Sequence, residues 1–119
     1  MLQICNLKNY CCGKVGTMED FPFGPEVAVF KVCGKMFALL PVDTNPPRIS
    51  LKCEPDLAIL LRDKYDAFIP GYHLNKRHWN TVTADGSIDD AEIFKLIDHS
   101  YDLVVKGLKK ADREELMGS

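Results

Sequence analysis

The sequence lacks the features by which several classes of protein are recognised. No apolar run approaches the roughly 18 residues that a membrane-spanning helix needs. The first twelve residues, MLQICNLKNYCC, have neither the positive n-region nor the long apolar stretch of a signal peptide. With 46% hydrophobic and 27% charged residues, the composition is typical of a globular protein. We therefore expect one cytoplasmic domain over residues 1–119, with 109–119 as a short helical or frayed tail.

Paired metal ligands are also missing. The five cysteines, Cys5, Cys11, Cys12, Cys33 and Cys53, include no CxxC pair. Zinc sites place two ligands roughly two to four residues apart and match them with a second pair, so we expect no metal site. Reduced and mostly buried thiols are expected instead. The adjacent Cys11 and Cys12 leave a redox-sensitive pair open, although a disulfide between neighbouring residues is strained.

Motifs of catalysis and of cofactor binding are absent too. The sequence contains no GxSxG, P-loop, HExxH or GxGxxG pattern. A cysteine and a histidine can still meet in space without being close in sequence, so a nucleophilic pair stays open as an alternative. We expect a protein that is not an enzyme, with no catalytic residues and no cofactor.

A strong basic excess, which many nucleic-acid-binding domains carry, is likewise absent. The net charge is −2. It is unevenly spread, since residues 1–80 hold 10 Lys/Arg against 8 Asp/Glu, and residues 81–119 hold 5 against 9. The acidic charge is concentrated in the C-terminal part, which leaves room for a positive face on the rest.

The pattern of apolar and turn-forming residues predicts an α+β domain. VAVFKVC (27–33) and MFALLPV (36–42) are predicted strands joined by a turn at Gly34-Lys35, and RISLKC (48–53) alternates as a third strand. A second pair of strands is predicted over 68–74 and 79–84, and residues 13–25 are predicted to form a loop. Helices are predicted over 1–12, from Pro55, and from Ser87 or Asp89 to Leu108. We therefore expect an antiparallel sheet of about five strands in two hairpins, packed against three helices.

The segment PGYHLNKRHWNTV (70–82) gathers basic side chains around the only tryptophan. Lys76, Arg77 and His78 at a hairpin tip could contact phosphate oxygens, or could form an ordinary solvated turn that protects a sheet edge. Strand alternation puts Trp79 on the face opposite Val82, where it could stack on a base. Because a tryptophan ring buries so much area, we expect it to be buried, as an anchor of the second hairpin against the last helix.

Further basic residues lie on the predicted strands and turns. Lys31 and Lys52 alternate away from their apolar neighbours and could share one sheet face, or could be merely solvated strand positions. The full set of predicted nucleic-acid-binding residues is Lys31, Lys35, Arg48, Lys52, Lys76, Arg77 and His78.

Three segments together resemble the MmcQ/YjbR family: residues 70–82, FPFGPEVAVFKVCGKMFALL (21–40) and ISLKCEP (49–55). The resemblance runs from about Glu19 to about Leu108. It implies a CyaY/frataxin-like fold with two β-hairpins likened to a double wing, in a family usually described as DNA-binding. One wing tip would be Gly34-Lys35 and the other Asn75 to His78. Frataxins carry an acidic first helix, whereas residues 1–12 here contain no Asp or Glu, so iron handling is not expected.

The residues and the resemblance lead to the same functional expectation. We expect a protein that binds DNA, or nucleic acid generally, weakly and mainly through the backbone, with its basic hairpin tips and sheet face. No membrane contact is expected. The alternative is a protein-interaction or small-ligand-binding module with no nucleic-acid role, which the acidic pI of about 5.9 favours.

Overall fold

The computed structural model describes residues 2–71 and 74–118, and their strands form a single antiparallel sheet. Neighbouring strands lie in the order β1-β2-β3-β4-β6-β5. The predicted α+β class is confirmed, although the described residues form six strands and four helices instead of about five and three. In chain order the elements are α1 (Ile4–Cys12), β1 (Thr17–Asp20), β2 (Val27–Val32), β3 (Lys35–Pro41), β4 (Arg48–Lys52), α2 (Pro55–Lys64), β5 (Phe68–Pro70), β6 (Trp79–Thr83), α3 (Asp90–Lys106) and α4 (Lys110–Met117).

The sixth strand, β1, lies in the segment that was predicted to be a loop. Its sequence, TMED, shows no apolar alternation, and three of its four residues are exposed in the structure. It is a strand because it pairs with β2, from Thr17 opposite Val32 to Asp20 opposite Val29. An edge strand of this kind is defined by its partner and leaves no signal in its own residues.

The C-terminal tail forms the fourth helix, α4, which contains no fully buried residue. Leu116 packs partly against the core. A Cβ atom at Gly16 would lie 2.4 Å from Leu116 Cδ1, and Gly16 has a φ of 73°. A side chain at Gly16 would be strained by this φ and would displace the end of Leu116, so glycine favours the close approach of the tail to the start of β1.

The turn between β2 and β3 lies one residue before its predicted position. Val32 pairs with Lys35, so the two turn residues are Cys33 and Gly34, with φ values of 50° and 78°. Positive φ at both positions is typical of the type I′ turns that match the twist of a two-residue hairpin. The predicted Gly34-Lys35 turn is therefore wrong by one residue, and Lys35 already belongs to β3.

The second predicted pair of strands is shorter than expected. β5 ends at Pro70, and residues 72 and 73 of the predicted 68–74 strand lie outside the described residues. β6 pairs with β5 on one side and with β4 on the other. Both hairpins therefore belong to one continuous sheet.

The core lies between the helices and one face of this sheet, which we call the helix face. Helix α3 presents an apolar stripe to the sheet, with Ile93, Ile97, Tyr101 and Val104 all buried. Ser100 lies within the stripe, where its Oγ donates to the backbone oxygen of Phe37 and accepts from the backbone nitrogen of Lys52 at 2.9 Å. This hydroxyl ties α3 to two neighbouring strands. From the sheet, the helix face contributes Ala28, Phe30, Val32, Phe37, Ala38, Leu40, Ile49, Leu51, Phe68 and Val82 to the core.

The cysteines are less buried than expected. All five are free thiols, with Cys11 and Cys53 buried but Cys5, Cys12 and Cys33 exposed. The expectation of mostly buried thiols is therefore wrong. Burial raises the pKa of Cys11 to about 12 and that of Cys53 to about 11, so both are protonated at neutral pH.

Within residues 2–71 and 74–118, no helix is long and apolar enough to cross a membrane. No group of three His, Cys, Asp or Glu side chains in that part of the chain is placed to hold a metal ion.

Candidate functional site on the open face of the sheet

The sheet face opposite the helices, which we call the open face, carries most of the predicted site. Along β6, Val82 belongs to the core and Asn80 Nδ2 donates to the backbone oxygen of Ala58 in α2, at 3.2 Å. Because side chains alternate along a strand, Trp79 and Thr81 point to the open face. Their partners on β4, Lys52 and Ser50, lie on the same face.

Most of the predicted nucleic-acid-binding residues lie at one end of the sheet, which we call the basic end. Here β2 and β4 end and β3 and β6 begin, since Val32 pairs with Lys35 and Lys52 pairs with Trp79. From β2 to β6 there are three strand spacings, or about 14 Å. The topology thus brings together two predicted tips that are about 40 residues apart in sequence. The basic end consists of Lys31, Lys35, Lys52, Lys76, Arg77 and His78.

The cations of the basic end differ in their surroundings. Lys31 Nζ forms an ion pair with Asp20 Oδ2 at 3.0 Å, so its charge is already balanced. Hydrogen bonding to Lys31 is the largest cause that lowers the pKa of Asp20. Among the described residues, no ion pair involves Lys35, Lys76 or Arg77, and all three are exposed.

The turn before β6 is held by its own hydrogen bonds. Asn75 Oδ1 accepts from the backbone nitrogen of Arg77 at 2.9 Å, and Asn75 O accepts from His78 and Trp79 at 3.2 and 3.0 Å. The backbone oxygen of His78 accepts from Cys53 at 2.7 Å, which fixes the turn to the end of β4. A hydrogen bond between an asparagine side chain and the backbone nitrogen two residues later commonly closes a turn. Here it leaves the intervening side chain of Lys76 in solvent.

Arg48 is separated from the rest of the predicted set. It begins β4 opposite Thr83, whereas Lys52 ends the same strand. Four residues of strand span about 13 Å. The structure therefore divides the seven predicted binding residues into six at the basic end and Arg48 at the opposite end.

Trp79 is buried, with an exposed fraction of 8%, as its size led us to expect. However, it does not belong to the helix-face core, so the expected anchor against the last helix is wrong. Gly71 donates its backbone N–H to the oxygen of Trp79 at 2.9 Å. A Cβ atom at Gly71 would lie 2.8 Å from Trp79 Cβ and 3.2 Å from Leu74 Cβ. Trp79 therefore lies on the open face with its Cβ beside Gly71, and at 8% exposure its ring is not presented to a base.

The open face also carries a groove of about 770 Å³ that the sequence reasoning missed. Most of its walls are apolar, although Ser50 Oγ and Thr81 Oγ1 are joined by a 2.7 Å hydrogen bond. The signal in the sequence was VAVFKV, which is apolar at nearly every position and not only at alternate ones. Such runs indicate a strand that is covered on both faces. The groove is lined by Phe23, Val27, Leu39, Pro41, Arg48, Ser50, Ile69, Leu74 and Thr81.

These features define a class: a small α+β domain whose antiparallel sheet is packed by helices on one face and has a groove and a cationic end on the other. The chain belongs to the YjbR family. The YjbR family model matches residues 13–103, which confirms the resemblance to the MmcQ/YjbR proteins.

Relatives and solved structures agree with this assignment. The chain is 37% identical over 116 residues to the uncharacterized protein YjbR of Escherichia coli strain K12, covering 98% of both chains. It is 42% identical over 96 residues to the uncharacterized protein YbdF of E. coli O157:H7, covering 81% of this chain and 79% of the relative. The crystal structure of Deinococcus radiodurans DR2400, with a DUF419 domain, superposes with a TM-score of 0.91 at 40% identity, over 98% of this chain and 88% of that one. The crystal structure of a Pseudomonas syringae protein superposes with a TM-score of 0.74 at 32% identity, over 86% of this chain and 98% of that one.

Proposed function

We propose that the protein is a non-enzymatic domain that binds the backbone of DNA, or of nucleic acid generally, through the basic end of its sheet. The observation that carries the proposal is that Lys35, Lys76 and Arg77 are exposed at the same end of the sheet and form no ion pair among the described residues. Cations that are not neutralised by protein carboxylates can replace the counterions of phosphate groups.

The dimensions support contact with one stretch of backbone. The basic end extends over about 14 Å across the strands, and successive nucleotides in a duplex strand rise by about 3.4 Å. Lys35 begins β3, two strand spacings or about 9.5 Å from β6, so Lys35 and the 76–77 pair could contact phosphates about three steps apart. Lys52 lies between them on β4.

The surroundings support weak binding that does not read bases. Trp79 is buried, so base stacking on it is not part of the proposal. Glu54 and Asp56 are exposed just after Lys52, where Glu54 accepts a hydrogen bond from the backbone of Asp56. Their negative charges oppose a polyanion at the edge of the basic end.

The test is a titration of a labelled duplex, followed by fluorescence anisotropy at several salt concentrations. With about four phosphate contacts, log Kd should rise with log salt with a slope of about 3–4. Lys76→Ala with Arg77→Ala should lower that slope by about two and leave thermal stability nearly unchanged.

The matched control is Lys95→Ala with Lys106→Ala, which removes the same charge from exposed positions on α3. It should leave the slope unchanged. The site at the basic end would be refuted if folded protein did not bind the duplex at low salt. It would also be refuted if both double variants lowered the salt slope equally.

A further inference from the structure

We infer that the groove on the open face is a binding site for a small amphipathic monoanion, a molecule with an apolar body and a single carboxylate. This site is distinct from the basic end, and its ligand does not depend on nucleic-acid binding. The groove's volume of about 770 Å³ lies within the roughly 300–1,000 Å³ of small-molecule sites.

The walls of the groove select an apolar body. Of the nine described residues that line it, six are apolar. An antiparallel sheet with one face in solvent normally carries polar side chains on that face. Two of the apolar residues remain well exposed, with Phe23 at 61% and Ile69 at 46%. Water against this surface would be released by an apolar ligand. The six are Phe23, Val27, Leu39, Pro41, Ile69 and Leu74.

The charge in the groove selects an anion. Among the described residues that line it, Arg48 is the only charged one, and no hydrogen bond or ion pair in that part of the chain involves its side chain. A guanidinium group can donate two parallel hydrogen bonds to a carboxylate. One cation without an acidic partner corresponds to one negative charge on the ligand.

Two hydroxyl groups lie beside Arg48 on the same sheet face. Ser50 and Thr81 are buried and share one hydrogen bond at 2.7 Å, in which either oxygen could be the donor. Each hydroxyl has one hydrogen, so the group that accepts keeps its own hydrogen for a further acceptor. The groove thus offers a cation and a hydroxyl donor next to apolar walls, which is the complement of an aliphatic carboxylate.

Decanoate, below its micelle concentration, is a suitable test ligand, and 1-decanol is its uncharged analogue. In an NMR titration of labelled protein, decanoate should shift the amide signals of β4 and β6 more than those of α3. Arg48→Gln should weaken decanoate binding about tenfold or more, the loss expected for a charge-assisted hydrogen bond, and should leave decanol binding unchanged. Leu39→Trp, which fills the groove, should weaken the binding of both.

The matched control is Lys52→Gln, which removes one positive charge from the same face at its other end. It should leave decanoate binding unchanged. The inference is overturned if decanoate does not bind, if it binds Arg48→Gln as well as wild type, or if Lys52→Gln weakens it equally. It is also overturned if sedimentation shows a dimer that Leu39→Trp dissociates, since a second copy of the chain would then cover the groove.

Discussion

Replacing Trp79 with alanine tests how the open face is packed. The ring is only 8% exposed, and a buried tryptophan covers roughly 150–250 Å². At about 25 cal/mol per Å², the lost burial corresponds to about 4–6 kcal/mol, which is an upper bound because unfolded chains already bury part of this surface. Trp79 lies beside Gly71 and not in the helix-face core, so the space that its ring leaves can partly collapse. We expect Trp79→Ala to lower the free energy of unfolding by about 3–4 kcal/mol.

The measurement is urea denaturation followed by circular dichroism, since the variant has no tryptophan. In the wild type the single Trp79 should show blue-shifted emission when folded, a red shift on unfolding, and little quenching by a single-stranded oligonucleotide. Trp79→Phe, which keeps an apolar ring, should recover more than half of the lost stability. A loss below about 1 kcal/mol for Trp79→Ala, together with solvent-like emission that the oligonucleotide quenches, would show instead that the ring is an exposed stacking platform.

Two further substitutions, a labelling experiment and a pH titration test details of the fold. Gly71→Ala should lower the free energy of unfolding by about 1–3 kcal/mol, because the new methyl group would overlap Trp79. The control is Gly107→Ala, whose new methyl group would have no contact closer than 3.6 Å, and it should change stability by less than about 0.5 kcal/mol in the same denaturation assay. Cys33→Asn should stabilise the hairpin by about 0.5–1 kcal/mol in thermal unfolding, because asparagine tolerates the positive φ of its turn. Iodoacetamide at pH 8 should modify the exposed thiols of Cys5, Cys12 and Cys33 in the folded protein, but the buried thiols of Cys11 and Cys53 only after unfolding. Because burial raises the pKa of Cys11 and Cys53, these two thiols lose their protons at a lower pH in the unfolded chain than in the folded protein. The free energy of unfolding should therefore fall as the pH rises from about 9 to about 12.

Sequence reasoning predicted the elements whose own residues define them. The apolar stripe of α3 and the alternation of β4 are local patterns, and both elements lie close to their predicted positions. It missed β1, because TMED becomes a strand only through pairing with β2. It misplaced the β2–β3 turn by one residue, since nothing local to Cys33 indicates that a cysteine adopts a positive φ.

The candidate site was harder to predict, because it depends on the register between distant strands. Val27, Arg48, Ile69 and Thr81 line one groove although about 20, 20 and 10 residues separate them in sequence. Composition could suggest which residues are basic, but only the strand order shows that Lys35 and Lys76 share an end of the sheet while Arg48 lies at the other. Sequence alternation places a residue on a face, whereas its position along that face follows from pairing.

The separation of Arg48 from the basic end leads to one more prediction, which concerns the independence of the two proposed sites. Arg48 and Lys52 are four strand residues apart, or about 13 Å, which exceeds the Debye length of about 8 Å at physiological salt. Arg48→Gln should therefore leave the affinity for a DNA duplex and its salt slope unchanged.

The reciprocal measurement completes the test. Lys76→Ala with Arg77→Ala should leave the binding of decanoate unchanged, because neither residue lines the groove. If Arg48→Gln lowered the salt slope by about one unit, the arginine would contact a phosphate, and the basic surface would extend along the whole of β4. The groove would then lie under the nucleic acid, and decanoate should compete with the duplex. Decanoate could also compete with the duplex although Arg48→Gln leaves the salt slope unchanged. That result would contradict both two independent sites and one continuous basic surface, because it would require the sites to be coupled through a conformational change.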